Sequence, residues 1–197
     1  MTRQHHGFSL IELMVTIAVF TLLVAIAAPW MGQYMANSKV LASAQSFYVS
    51  AQQARTEAIR RNVPVELLLT AADPTSGNAG SATAAAAGPN WMVRTAPDGA
   101  SPTHDFIEGK SGAEGGGKAD AGTAKSSVVI TASSGSIRFD ALGALTTAGP
   151  VTVDFSHDTL ACEPDGGVRC VRVVVAGGGQ TRLCDPLVTG AGDTRRC

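Results

Sequence analysis

The stretch H-H-G-F-S-L-I-E-L-M-V-T-I-A-V, His5 to Val19, decides how this chain is read. A carboxylate, Glu12, stands early in an apolar run that continues to Trp30. A charge in bilayer hydrocarbon costs roughly 2.5–3.5 kcal/mol on insertion scales. A residue that expensive needs a partner. Ahead of the run lies a short polar leader, M-T-R-Q-H-H-G, with Arg3 as its cation. The run from Phe8 to Trp30 has the length of a spanning helix, about 20 residues. Positive charge before a span predicts a cytoplasmic N-terminus and an exported C-terminal body.

Two plainer readings compete. A secretory signal peptide would use Ala25 to Ala27 as an A-x-A cleavage site, leaving a soluble chain. A simple single-span anchor is the other. Neither explains Glu12, and the apolar periodicity runs past the supposed cleavage site.

A helical pattern continues beyond the span. From Lys39 to Arg61, apolar residues recur at Val40, Leu41, Ala44, Phe47, Tyr48, Ala51, Ala54, Ala58 and Ile59. That is the stripe of an amphipathic helix. Asn62 followed by Val63-Pro64 ends it, because proline disfavours helix in the residue before it. A helix from Phe8 to Arg61 would be about 80 Å long. Pro29, inside the span, predicts a kink through the backbone hydrogen bond it removes.

The junction G-F-S-L-I-E, Gly7 to Glu12, resembles the leader junction of type IV pilins and type II secretion pseudopilins. The resemblance implies cleavage by a prepilin peptidase between Gly7 and Phe8, and methylation of the new Phe8 amine. It implies that Glu12 pairs with the N-terminal amine of a neighbouring subunit. A buried carboxylate paired with a cation is far less costly than a lone one. A second segment, A-R-T-E-A-I-R-R-N-V-P-V from Ala54 to Val65, resembles the GspH/FimT branch of minor pilins and H-type pseudopilins. The implied architecture is α+β, a pilin fold. It has a leader over 1–7, a transmembrane half-helix over 8–30, an amphipathic half over 31–61 and a β-rich periplasmic head over 62–197. The helix would pack on an antiparallel sheet.

In the head, Val63 to Thr70 and Trp91 to Thr95 read as strands. Between and after them, residues 71–90 and 96–126 are rich in Gly, Ala, Ser and Pro and predict long, mobile loops. Beyond Ser126 short β-branched segments alternate with glycine-rich turns. V-R-V-V-V-A-G-G-G-Q-T-R-L-C, Val171 to Cys184, reads as a hairpin turning at Gly177 to Gly179.

The chain has 197 residues and a formal net charge of −1, which gives the whole molecule no electrostatic pull toward nucleic acid. Four cysteines, Cys162, Cys170, Cys184 and Cys197, sit in the last fifth of the chain beyond the span. Clustered there, they predict two disulfides made in an oxidising compartment. Of the three possible pairings, Cys162–Cys170 with Cys184–Cys197 closes the two shortest local loops. Their spacing does not suit zinc.

No catalytic constellation or cofactor motif stands out. G-A-E-G-G-G-K-A, Gly112 to Ala119, nearly matches a phosphate-binding loop, but Ala119 replaces the metal-binding hydroxyl. His157 with Asp154 or Asp158 could be drawn as a dyad, yet reads more simply as a surface histidine near a turn.

The expectation is therefore a non-enzymatic minor pilin of a type IV pilus. Its head lies in the periplasm, its anchor in a bacterial inner membrane, and its partners are other pilins and the prepilin peptidase. An H-type pseudopilin of a type II secretion system is the alternative. Resemblance to FimT-like pilins further implies capture of double-stranded DNA through a G-R-x-R motif. The matching place is G-Q-T-R, Gly179 to Arg182, where Gln180 replaces the first arginine. Arg169, Arg172, Arg182, Arg195 and Arg196 against Asp185 and Asp193 would form a basic patch able to hold phosphates non-specifically.

Overall fold

Among the described residues, one α-helix, α1, runs from Leu10 to Arg61 and is followed by eight strands. They are β1 (Val65–Thr70), β2 (Asn90–Thr95), β3 (Phe106–Lys110), β4 (Val128–Ala132), β5 (Ser136–Phe139), β6 (Val151–His157), β7 (Val171–Val175) and β8 (Thr181–Cys184). This computed structural model describes residues 9–97, 103–112, 127–147 and 149–197, without the side chains of 27–30. The chain divides into two units, Met1–Met35 and Ala36–Cys197. The class is α+β, as expected, but the head holds two sheets rather than one. The first has the order β3-β2-β1-β5 and the second β4-β6-β7-β8. Every strand pairing is antiparallel.

The helix ends where the sequence dictates. Asn62 takes a left-handed backbone, φ 55°, a conformation asparagine tolerates at a helix end. Pro64 then prevents continuation, so β1 begins at Val65 rather than Val63. The Pro64 carbonyl still accepts a hydrogen bond from the Ala96 amide at 2.8 Å.

One face of the head half of α1 lies on both sheets. Ala36, Val40, Ala44, Phe47, Ala51, Ala54 and Ala58 are buried. Most are alanine, so the helix backbone comes close to the strands, and Phe47 is the large knob. Its ring meets Trp91 of β2 edge-on, centroids 5.5 Å apart, and Phe155 of β6 at 5.6 Å. One side chain therefore ties the helix to both sheets. Trp91 Nε1 donates to Ser50 Oγ at 3.1 Å, which satisfies the buried indole. The apolar stripe expected on this helix was too broad: Leu41 is 41% and Ile59 51% exposed. Ser43 and Ser50 are buried in their stead, because small residues suit the close approach.

The second sheet alternates cleanly. Val151, Val153 and Phe155 of β6 point into the core, while Asp154 points out. The first sheet does not: β1 is buried at Val65, Leu67, Leu68, Leu69 and Thr70. Its second face is covered by residues 71–90, a loop as expected, with Ala79 and Ala82 buried. A short 3-10 turn forms at Ser76–Asn78. Ala82 joins Leu68 and Met92 in a small apolar cluster beneath it. Arg94 of β2 fixes the tract from below. Its Nη1 donates to the carbonyls of Ala79 at 2.6 Å and Ala82 at 3.1 Å, and its Nε pairs with Glu66 at 2.9 Å. Ser136 Oγ donates to the other Glu66 oxygen. The buried ion pair is thus hydrogen-bonded on both sides, the condition under which burial of charge is tolerated.

The second expected loop, 96–126, is corrected. It contains β3, which pairs with β2 from Trp91↔Lys110 to Arg94↔Phe106. Residues 98–102 and 113–126 of that tract, including most of Gly112 to Ala119, lie outside the described residues.

Candidate functional site

The N-terminal half of α1 is built for contact with something apolar. Large side chains from Leu10 to Ile26 are exposed, Leu10 at 76% and Phe20 at 66%. Its hydroxyls are already satisfied within the helix. Thr16 Oγ1 donates to the Leu13 carbonyl at 2.8 Å, and Thr21 Oγ1 to the Ala18 carbonyl at 2.9 Å. Glu12 apart, this surface can enter lipid or a helical bundle without the penalty of an unmet polar group. Glu12 lies in the first turn, where a carboxylate complements the helix dipole. It has no hydrogen bond or ion pair among the described residues. Gly7 and Phe8 lie outside the described residues, as does the side chain of Pro29, so the expected cleavage point and kink fall there. Taken one at a time, no helix among the described residues is long and apolar enough to cross a membrane. The segments Leu10–Ile26 and Met31–Arg61 meet that criterion together.

The segment Ala54–Val65 acquires a structural meaning residue by residue. Ala54 and Ala58 are buried under the helix. Arg55 reaches out and donates through Nε to the Gly143 carbonyl at 3.0 Å. Gly143 sits in the turn after β5, and Gly179 in the β7–β8 turn lies against the same carbonyl. A side-chain carbon at Gly179 would stand 1.9 Å from that oxygen, and φ there is +77°. Arg55 and Gly179 therefore lock the helix end to the turns of both sheets. Glu57 accepts from Arg60 and Arg61 at 2.7 Å and 2.6 Å. Hydrogen bonds from Arg60 first, then Arg61, lower its pKa from 4.5 to about 2. Asn62 and Pro64 close the segment as described.

In the C-terminal region three of the five arginines are paired with carboxylates. Arg172 on β7 faces Asp154 on β6, held by two bonds of 2.6 Å and 3.0 Å. That hydrogen-bonded carboxylate holds the guanidinium pKa above its ordinary value. Arg169 pairs with Asp185 at 3.0 Å and Arg195 with Asp193 at 2.8 Å. The bond from Arg195 lowers Asp193 to about 2. Arg182 donates to the Cys197 main-chain oxygen. Arg196 has no acidic partner among the described residues. Three of the five arginines are thus neutralised in place, one of them by Asp154, which a count over 169–197 leaves out. Gln180 lies in the β7–β8 turn, with its carboxamide beside Gly178.

Cys162 bonds to Cys170 and Cys184 to Cys197, with Cα separations of 5.5 Å and 5.1 Å. The first loop is seated on the helix: Asn37 Oδ1 accepts from the Arg169 amide at 2.7 Å, and its Nδ2 donates to the Gly167 carbonyl at 3.2 Å. The Arg169–Asp185 pair joins the two disulfide loops. His157 Nδ1 lies 3.1 Å from Asp158 and 3.3 Å from both the amide and the hydroxyl of Thr159, all within one turn. Among the described residues, no group of His, Cys, Asp or Glu is arranged to hold a metal.

Residues 43–179 match the family model for Type II transport protein GspH, and residues 2–28 match the prokaryotic N-terminal methylation motif. No curated protein matches the chain. Among solved structures, the type IV minor pilin FimU of Pseudomonas aeruginosa PAO1 is similar at 12% identity and TM-score 0.48. That match covers 73% of this chain and 87% of FimU. The minor pseudopilin EpsH of the Vibrio cholerae type 2 secretion system is similar at 18% identity and TM-score 0.45, covering 77% and 99%. With the GspH model spanning more than half of its length, the chain belongs to the GspH family, and it carries the N-terminal methylation motif at its start.

Proposed function

We propose that this chain is a minor pilin, a low-abundance subunit that helps start or cap a type IV pilus. The observation that carries the reading is the bare apolar surface of Leu10–Ile26 with Glu12 in its first turn. Before assembly that surface is held by the inner membrane, with the head in the periplasm. After cleavage between Gly7 and Phe8 by a prepilin peptidase and methylation of Phe8, the helix passes from lipid into the fibre. Glu12 meets the N-terminal amine of a neighbour, and the charge pair offsets the desolvation of both. Assembly needs no catalysis by this chain, and no cofactor.

The disulfide-tied C-terminal loops support the pilus over the H-type pseudopilin. The deciding experiment is deletion with complementation. Loss of sheared surface pili with unchanged protein secretion supports the pilin; lost secretion with normal pili establishes the pseudopilin.

DNA capture is a second reading, and it rests on Arg182, which donates to the Cys197 main-chain oxygen, and Arg196, neither of which pairs with an Asp or Glu side chain among the described residues. With Arg169, Arg172 and Arg195 already paired, such a site would neutralise few phosphates. Its affinity would fall with a shallow salt slope, about 0.9 per phosphate contact on duplex DNA. Binding by the full chain that is unchanged in Arg182→Ala with Arg196→Ala refutes this reading.

A further inference from the structure

Leu142 is the most exposed large apolar side chain among the described residues, 84% against 76% for Leu10 at the start of the bare helix. It stands at the tip of the turn after β5, and that turn is held from several directions. Asp140 Oδ1 accepts from the Leu142 amide at 2.9 Å and the Ala144 amide at 2.8 Å. The Gly143 amide donates to the Asp140 carbonyl and the Leu145 amide to the Gly177 carbonyl, both at 2.9 Å. Ile59 of α1, itself exposed, closes against the turn: a side-chain carbon at Gly143 would stand 2.7 Å from its Cδ1. One exposed leucine is ordinary on a protein surface. Two aliphatic side chains on a frame this fixed are a ready contact, because little backbone is left to order on binding.

Charge marks this end of the head. Arg60 and Arg61 share the single carboxylate of Glu57, and Arg55 is spent on the Gly143 carbonyl. Asp140 is turned inward onto amides. Three guanidiniums against two carboxylates leave the surroundings of Ile59 and Leu142 positive. The opposite end carries the converse. Asn37 holds the Cys162–Cys170 loop there, 22 residues before Ile59 and so about 33 Å away along α1. Glu163, Pro164 and Asp165 are exposed in that loop, and Leu160 just before it is 37% exposed. Neither carboxylate has a hydrogen bond or ion pair among the described residues. This loop is fixed too: the disulfide closes it, and Val168 is sunk in the core.

We propose that the Leu142 end of one head seats the Cys162–Cys170 loop of a second copy of this chain, head to tail. Leu160 and Pro164 cover Leu142 and Ile59, and Glu163 and Asp165 meet the arginines. Like charge disfavours the two-fold alternative, which would set one Leu142 end against another and bring the arginines face to face. A lipid surface is the wrong occupant, because the head begins at Ala36 and Ile59 lies about 35 Å further along α1. A head-to-tail contact does not close on itself, so it adds copies in one direction. The contact stands apart from the choice between pilus and secretion system.

The test uses the purified full chain in detergent micelles at low ionic strength, with photoreactive benzoylphenylalanine at position 142 and, as control, at exposed Val129 on β4. The expected result is a dimeric adduct from position 142, mapped by mass spectrometry to residues 160–170 of the second copy, and none from 129. Arg60→Glu with Arg61→Glu should lower its yield on the order of tenfold, as should Glu163→Arg with Asp165→Arg. Combining the four substitutions should restore it, which damage to the fold would not do. An adduct to α1 or to another Leu142 end overturns the proposal. So does the absence of any adduct from a chain that melts as wild type does, or a fourfold variant that stays as weak as the double ones.

Discussion

Arg94 shows how much one side chain can organise. It balances Glu66 beneath the 71–90 tract and holds two carbonyls of that tract. Arg94→Met leaves Glu66 buried and uncompensated, and should cost about 3–5 kcal/mol. Adding Glu66→Gln should restore much of the loss, which urea unfolding of the single and double variants would measure. Glu57 gives a gentler test. Its folded pKa of about 2 lies below the ordinary 4.5. A lowered carboxylate pKa stabilises fully above its unfolded value, and that stability is lost as pH falls through the folded one. Thermal unfolding should therefore separate wild type from Glu57→Gln above about pH 4.5 and bring them together near pH 2. The separation should be small, because the pair is open to solvent. Residue-scale chemistry was only partly legible in the sequence. Glu12 announces itself because a carboxylate interrupts an apolar run. Arg94 does not, because its partners lie at positions 66, 79 and 82 and only the fold brings them together.

At the scale of elements, α1 was legible because one stripe of small and apolar residues persists and Asn62-Val63-Pro64 marks its end. The strands after Ser126 were legible from β-branched runs broken by glycine. Phe106–Lys110 was not: it is short, includes Gly109, and earns its place through pairing with β2. The division into two sheets depends on which strands pair across long separations, and alternation along one strand says nothing of that. Phe47 joins the two sheets, so Phe47→Ala should cost about 3–5 kcal/mol and loosen both. Hydrogen exchange should show β2 and β6 losing protection together. The glycines of the β7–β8 turn discriminate further. Gly179 lies against the Gly143 carbonyl at positive φ, whereas a side chain at Gly177 would meet nothing within 4 Å. Gly179→Ala should lower stability by about 1–3 kcal/mol, and Gly177→Ala should leave the melting temperature nearly unchanged.

On the scale of the whole molecule, the chain couples a bare apolar helix to a head whose loops are tied down. The two disulfides together should contribute several kcal/mol, about 2–3 each on the chain-entropy model for loops this short. The disulfide pairing was legible from cysteine placement, whereas the partner of Arg172, Asp154, was not, because it comes from another strand. The proposed function is assembly into a filament, and in that proposal Glu12 is the electrostatic guide. The most direct measurement is the incorporation of Glu12→Ala into sheared filaments, against wild type expressed at the same membrane level. The account predicts that the variant stays in the membrane and is depleted from filaments. Incorporation equal to wild type would contradict it.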